Sequence, residues 1–135
     1  MIQAVIDTNV VASAIFFGGK PKEVIDHVIK NHIKAYASQE IVNEYRETVE
    51  YLKEKFPEKA PKIPLMNIEL KCTIIDVTTK IDICRDPDDN KFIECAVDSG
   101  CYYVVSGDKD LLTVKEYEGV RIVPVTEFLE IIDMV

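Results

Sequence analysis

Ile2-Gln3-Ala4-Val5-Ile6-Asp7-Thr8-Asn9 opens a chain of 135 residues. Its first five residues are a short, mostly apolar run of the kind that forms a strand buried on both faces. The run meets a lone carboxylate, Asp7, at its carboxyl end. Apolar residues then resume at helical spacing through Val10, Val11, Ala14 and Ile15 and break at Gly18-Gly19.

Outward from this start, strand-like and helix-like segments alternate. Pro21 opens a second helix with Val24, Ile25, Val28 and Ile29 as its buried stripe. Ile33 to Ala37 reads as a strand, and Ser38 is a good N-cap for a helix from Gln39 to Lys55. Pro57, Pro61 and Pro64 form a stiff connector, and Leu65 to Lys71 adds a short helix. Cys72 to Val77 reads as a third strand. Asp86-Pro87-Asp88-Asp89-Asn90 marks a turn and a helix start, with Gly100 as the stop after Ser99. Tyr102 to Ser106 reads as a fourth strand, Leu111-Leu112 begins a brief helix, Val120 to Val123 is a fifth strand, and Thr126 caps a terminal helix. Such alternation implies parallel strands joined by right-handed crossovers. The expected fold is α/β, a three-layer α/β/α sandwich around a central, mainly parallel sheet of four to five strands. One domain spans residues 1–135.

At this length folding buries roughly two-thirds of the chain's surface, and 47% hydrophobic residues suffice for a core. The 16 Lys+Arg and 24 Asp+Glu give a net charge of −8, acidic yet too apolar for a disordered acidic segment. No apolar run approaches the ~18 residues of a membrane span, and the first residues lack the basic region and cleavage site of a secretory signal. A soluble cytoplasmic protein is expected. Cys72, Cys84, Cys95 and Cys101 lack close C-x-x-C pairs and read as reduced small hydrophobes, not as zinc ligands or disulfides. His27 and His32 stand five apart, a poor spacing for two ligands on one helix face.

The informative residues fall at the carboxyl ends of the strands, where open α/β sheets place their reactive cleft. Asp7-Thr8-Asn9 follows strand one, and Ser106-Gly107-Asp108-Lys109-Asp110 follows strand four. Asp86 to Asn90 begins the helix that feeds strand four. Each cluster has a plain structural reading: Asp7 or Thr8 as a helix cap, Asp88 and Asp89 at a helix's positive end, Gly107-Asp108 as a turn. Their sum is harder to dismiss, because carboxylates gathered at one low-dielectric edge repel and need an offsetting charge. Oxygen-only ligands point to Mg²⁺ or Mn²⁺. Glu44 adds a candidate, lying roughly 110° from the centre of the apolar stripe on the 39–55 helix, nearest its edge among five glutamates there.

Together these features resemble the PIN domain, the Mg²⁺-dependent ribonuclease fold that includes VapC-type toxins of bacterial and archaeal toxin–antitoxin pairs. The resemblance covers almost the whole chain. It rests on Val5-Ile6-Asp7-Thr8-Asn9-Val10, on Ser38 with Glu44 six residues later, on Arg85-Asp86-Pro87-Asp88-Asp89-Asn90-Lys91-Phe92, and on Val105-Ser106-Gly107-Asp108-Lys109-Asp110-Leu111-Leu112. The last two are similar to the toxin-component subgroup. The resemblance implies catalytic and metal-holding roles for Asp7, Glu44 and Asp108, with Asp110 a nearby helper and Asn9 a water or metal partner. The third acid is open between Asp89, Asp86 and Asn90. The family pattern slid onto Lys91 to Ala96 puts Asn90 at that position; Asp89 is the preferred acid and Asp86 the next. The resemblance also implies an RNA substrate, a homodimer or higher oligomer and, for toxin members, a small antitoxin that covers the cleft.

The expected chemistry is hydrolysis of RNA phosphodiesters by a water activated at one or two metal ions. RNA binding usually carries a basic footprint, so affinity here falls to local residues such as Lys20, Lys22, Arg85, Lys91 and Lys109, each of which can also be an ordinary solvated charge. Phe16-Phe17 is either core or a seat for a second copy or an inhibitory partner. Two other readings remain. One is a catalytically weak PIN-like RNA- or protein-binding module, which Asn90 keeps open. The other is a phospho-accepting receiver domain, which would want an acidic pair near the first strand and an aspartate ending the third, where this chain has Asp76 within the strand.

Overall fold

The structure is a computed structural model that describes residues 1–135. In chain order its elements are β1 (Ile2–Ile6), α1 (Thr8–Phe16), α2 (Gly19–Ile29), β2 (Ile33–Ala37), α3 (Gln39–Lys55), α4 (Leu65–Glu69), β3 (Cys72–Ile74), a 3₁₀ turn (Pro87–Asp89), α5 (Asn90–Ser99), β4 (Tyr103–Val105), α6 (Lys109–Val114), β5 (Glu116–Tyr117), β6 (Val120–Val123) and α7 (Val125–Asp133). The six strands form one sheet in the order β3-β2-β1-β4-β6-β5. All neighbours are parallel except β5 and β6.

β1 lies inside the sheet between β2 and β4, and Ala4, Val5 and Ile6 are all buried. That is why its sequence is an apolar run rather than an alternation. Right-handed crossovers place α1 to α4 on one face and α5 on the other. Accordingly α5 packs over β1, β2 and β4, while α1 packs on α2 and α3 and α7 lies against α2. A single core of aliphatic and aromatic side chains fills both layers. Cys84, Cys95 and Cys101 belong to it, all four cysteines are free thiols, and burial pushes Cys95 up to about 12. No helix is long and apolar enough to cross a membrane.

Several elements depart from expectation. The sheet has six strands rather than four or five, because Glu116-Tyr117 doubles back on Val120 through Glu118 and Gly119, both at positive φ. β3 stops at Ile74 rather than Val77. Beyond it the chain is held by side chains of α5: Asp98 accepts from the backbone N–H groups of Thr78 and Thr79, and Glu94 from that of Ile81. α7 begins at Val125, one residue before the expected cap Thr126, and no side chain caps it. α2 begins at Gly19, ahead of Pro21. Phe16 is core, whereas Phe17 is exposed and packs edge-on against Phe56.

His27 and His32 do meet, though through a turn rather than a shared helix face. His32 N–H donates to His27 C=O at 2.8 Å and Asn31 N–H to Val28 C=O at 3.1 Å, with Asn31 at φ 64°. This is a Schellman end to α2. It brings the two Nδ1 atoms within 3.0 Å, a hydrogen bond at the amino ends of the strands.

The receiver alternative fails on topology. A receiver-type sheet has its first strand between the second and third, whereas here β1 sits between β2 and β4 and β3 is an edge.

Candidate metal centre

Parallel pairing aligns the carboxyl ends of β1, β2 and β4, since Ile6 pairs with Val105 and Val5 with Tyr36. Asp7, Ser38 and Ser106 therefore leave the sheet on the same edge. Asp7 is 4% exposed. It stands at the N-cap of α1, yet its side chain makes no capping bond, so capping does not account for it. Its Oδ2 instead accepts from Ser106 Oγ at 2.7 Å, and Ser106 Oγ accepts from the Asp108 backbone N–H at 3.0 Å. Burial raises the Asp7 pKa against the Ser106 hydrogen bond, and the nearby charges of Asp108 and Glu44 raise it further.

Glu44 reaches the same edge from α3. That helix is fixed by Ser38, whose Oγ accepts from Ile41 N–H at 3.2 Å, and by Tyr45, whose buried hydroxyl donates to the Ile6 carbonyl. Both Glu44 oxygens have partners. Oε2 accepts from Thr8 Oγ1, and Oε1 lies 2.8 Å from Lys91 Nζ.

The remaining acids come from the 3₁₀ turn and the start of α6. Asp89, Asp108 and Asp110 bring one carboxylate oxygen each within 4.8 Å of one another. Asp108 also caps α6, accepting from Asp110 N–H at 3.3 Å. Burial pushes Asp89 up to about 7, helped by Asp108, which can share a proton with it, and by the charges of Asp86 and Asp7. Asp89 Oδ2 is the one buried side-chain oxygen or nitrogen with no hydrogen-bond partner. A buried carboxylate oxygen with neither donor nor counter-charge is costly. With Asp108 and Asp110 beside it, Asp89 completes a set of three hard oxygen donors that fits a divalent cation of the Mg²⁺ or Mn²⁺ type.

The other candidates have different placements. Asn90 is 5% exposed and spent on structure: its Oδ1 accepts from the backbone N–H groups of Ile83 (3.2 Å) and Cys84 (3.0 Å), and its Nδ2 donates to Pro87 C=O (3.1 Å). Asp86 is exposed and caps the 3₁₀ turn by accepting from Asp88 N–H at 3.0 Å. Asn9 is exposed. Asp7 and Glu44 lie outside the three-carboxylate group, though Asp7 is close enough for its charge to act on Asp89.

Beside the acids runs a cleft of about 400 Å³ lined by Asp82, Ile83, Cys84, Arg85, Asp110, Thr113 and Val114. Arg85 is exposed and 3.9 Å from Asp110. A cavity of about 460 Å³ around Met1, His27 and His32 lies at the opposite end of the strands, away from the carboxylates.

Compared with known families, residues 3–110 match the PIN domain. The chain belongs to the PIN domain family. It is also 31% identical over 119 residues to the uncharacterized protein MJ1680 of Methanocaldococcus jannaschii, an overlap of 85% of this chain and 76% of the relative. PIN domains are generally nucleases that use divalent metals, and the acidic edge of this PIN domain has the donor set for one.

Lys91 is not the solvated RNA contact that its charge suggests, since it is buried in the acidic edge of the PIN domain. Lys22 is tied to Asp26 at 3.1 Å. Thr8, Ser106 and Lys91 are the site residues that motif reading leaves unassigned. Their positions within two residues of Asp7, Asp108 and Asp89 in the chain are the sequence signal for them.

Proposed function

We propose that this PIN domain is a Mg²⁺- or Mn²⁺-dependent endoribonuclease. The carrying observation is the buried, unpartnered Asp89 Oδ2 beside Asp108 and Asp110. Asp89, Asp108 and Asp110 would hold the ion with Asp7 at their side. The ion would lower the pKa of an attacking water and offset charge on the phosphodiester and its leaving oxygen.

The chain's own residues supply order. Ser106 fixes the Asp7 carboxylate and Thr8 fixes Glu44, so the acids keep their geometry despite mutual repulsion. A carboxylate of the cluster takes the proton from the attacking water. Arg85 and Lys109, exposed at the rim, meet the phosphates on either side of the cut. Nothing in this scheme needs a nucleophilic side chain, and the cysteines are buried or half-buried thiols with raised pKa values.

We extend the reading to a cytoplasmic toxin of a toxin–antitoxin pair, a homodimer whose cleft a small antitoxin covers. Its support is family membership and the likeness of the Asp86–Phe92 and Ser106–Asp110 motifs to toxin-component members.

The test is cleavage of single-stranded RNA by metal-stripped protein. Activity is expected to appear with Mn²⁺, vanish with chelator, and fall on the order of 100-fold or more in Asp108→Asn. RNA binding without cleavage at any metal concentration would favour the binding-module reading. Cleavage that survives both chelation and Asp108→Asn would assign the activity to something other than this centre.

A further inference from the structure

Lys91 is 7% exposed, and a buried ammonium is tolerable only where acceptors replace the water it has lost. Three do. Glu44 Oε1 lies 2.8 Å from Nζ, Asp88 Oδ1 3.0 Å, and the Asp88 backbone carbonyl oxygen 2.8 Å. An ammonium carries three N–H donors, so its capacity is filled. The acceptors come from two elements, α3 and the 3₁₀ turn. Two carboxylates and a carbonyl are also the oxygen set that a hard metal ion takes. With Thr8 on the other oxygen of Glu44, neither is open, in contrast to Asp89 Oδ2.

We propose that Lys91 is a resident cation of the acidic centre. It occupies the Glu44–Asp88 half of the site as a second divalent ion otherwise would, so the centre takes up a single ion at Asp89, Asp108 and Asp110. This rests on the metal-centre reading given above and adds a stoichiometry to it. Lys91 is a positioning residue. It holds Glu44 against Thr8 at the start of α1 without metal, and its fixed charge repels a divalent ion approaching Glu44. Arginine is a poor replacement, since its planar fork does not match three acceptors gathered around one point.

The experiment is equilibrium Mn²⁺ binding to the full chain, with free Mn²⁺ read by electron paramagnetic resonance and folding checked by circular dichroism. The wild type is expected to bind one ion per chain. Lys91→Met is expected to bind two, and the double variant Lys91→Met/Glu44→Gln to return to one. Two ions on the wild type overturn the proposal, as does a folded Lys91→Met that still binds one. If Lys91→Met does not fold, Lys91→Gln carries the same comparison, and the wild-type count decides by itself between one ion and two. A wild type that binds no Mn²⁺ overturns the metal centre itself and this inference with it, a result distinct from a count of two.

Discussion

Asp89 and Asn90 are adjacent in the chain and opposite in role. Asn90 turns into the fold and satisfies two backbone N–H groups of the 81–84 segment, whereas Asp89 Oδ2 satisfies nothing. The sequence alone could not separate them, because the difference lies in which way each side chain leaves a single 3₁₀ turn. Asp7 and Asp108 are legible as candidates because each lies within three residues of the carboxyl end of a strand in a parallel sheet. Lys91 is not, because its burial depends on Glu44, an acceptor that the fold brings from α3. Asn90→Ala is expected to destabilise the protein by about 2–3 kcal/mol in urea unfolding, since buried N–H groups lose their acceptor. The pH dependence has a definite sign. Burial and the neighbouring Asp108 raise Asp89 from the ordinary aspartate value to about 7 in the fold, so the native state holds a proton that the unfolded chain has released. Metal-free protein therefore loses stability as pH rises from about 4 to about 7 and levels off above. Thermal melts in chelator across that range check this, and Mn²⁺ should stabilise more strongly at the upper end, where it no longer competes with the proton.

At the level of elements, legibility followed the end signals. β2 and α3 fall at their expected residues, because Ser38 separates strand from helix and caps the helix by accepting from Ile41 N–H. Ser38→Ala should cost about 1 kcal/mol by denaturant unfolding. Gly100 stops α5 in the left-handed region at φ 75°, with no atom within 4 Å of an added Cβ. Gly100→Ala should therefore cost about 1 kcal/mol through backbone conformation alone, with the far-ultraviolet dichroism unchanged. The end of β3 and the existence of β5 are not legible in the sequence, because both are set by partners rather than by local residues. α5 side chains take over the chain after Ile74, and β5 is only two residues held by a hairpin.

For the whole molecule, the order β3-β2-β1-β4-β6-β5 turns separate sequence motifs into one acidic edge. The alternation of elements made the parallel sheet readable. The six-stranded outcome and the division of the acids were not, since both depend on tertiary packing. A net charge of −8 argues against a broad electrostatic grip on RNA. With Arg85 and Lys109 as the exposed cations at the rim, the log–log dependence of RNA affinity on salt should be shallow, with a slope on the order of −1 to −2 in filter binding. The central claim is that the fold gathers Asp89, Asp108 and Asp110 to hold a divalent ion. Its most direct test is anomalous scattering from a crystal of the protein soaked in Mn²⁺. A peak is expected at roughly 2.0–2.2 Å from Asp89 Oδ2, with Asp108 and Asp110 sharing it. A fully soaked crystal with no peak there, or with manganese bound only at other carboxylates, would contradict it.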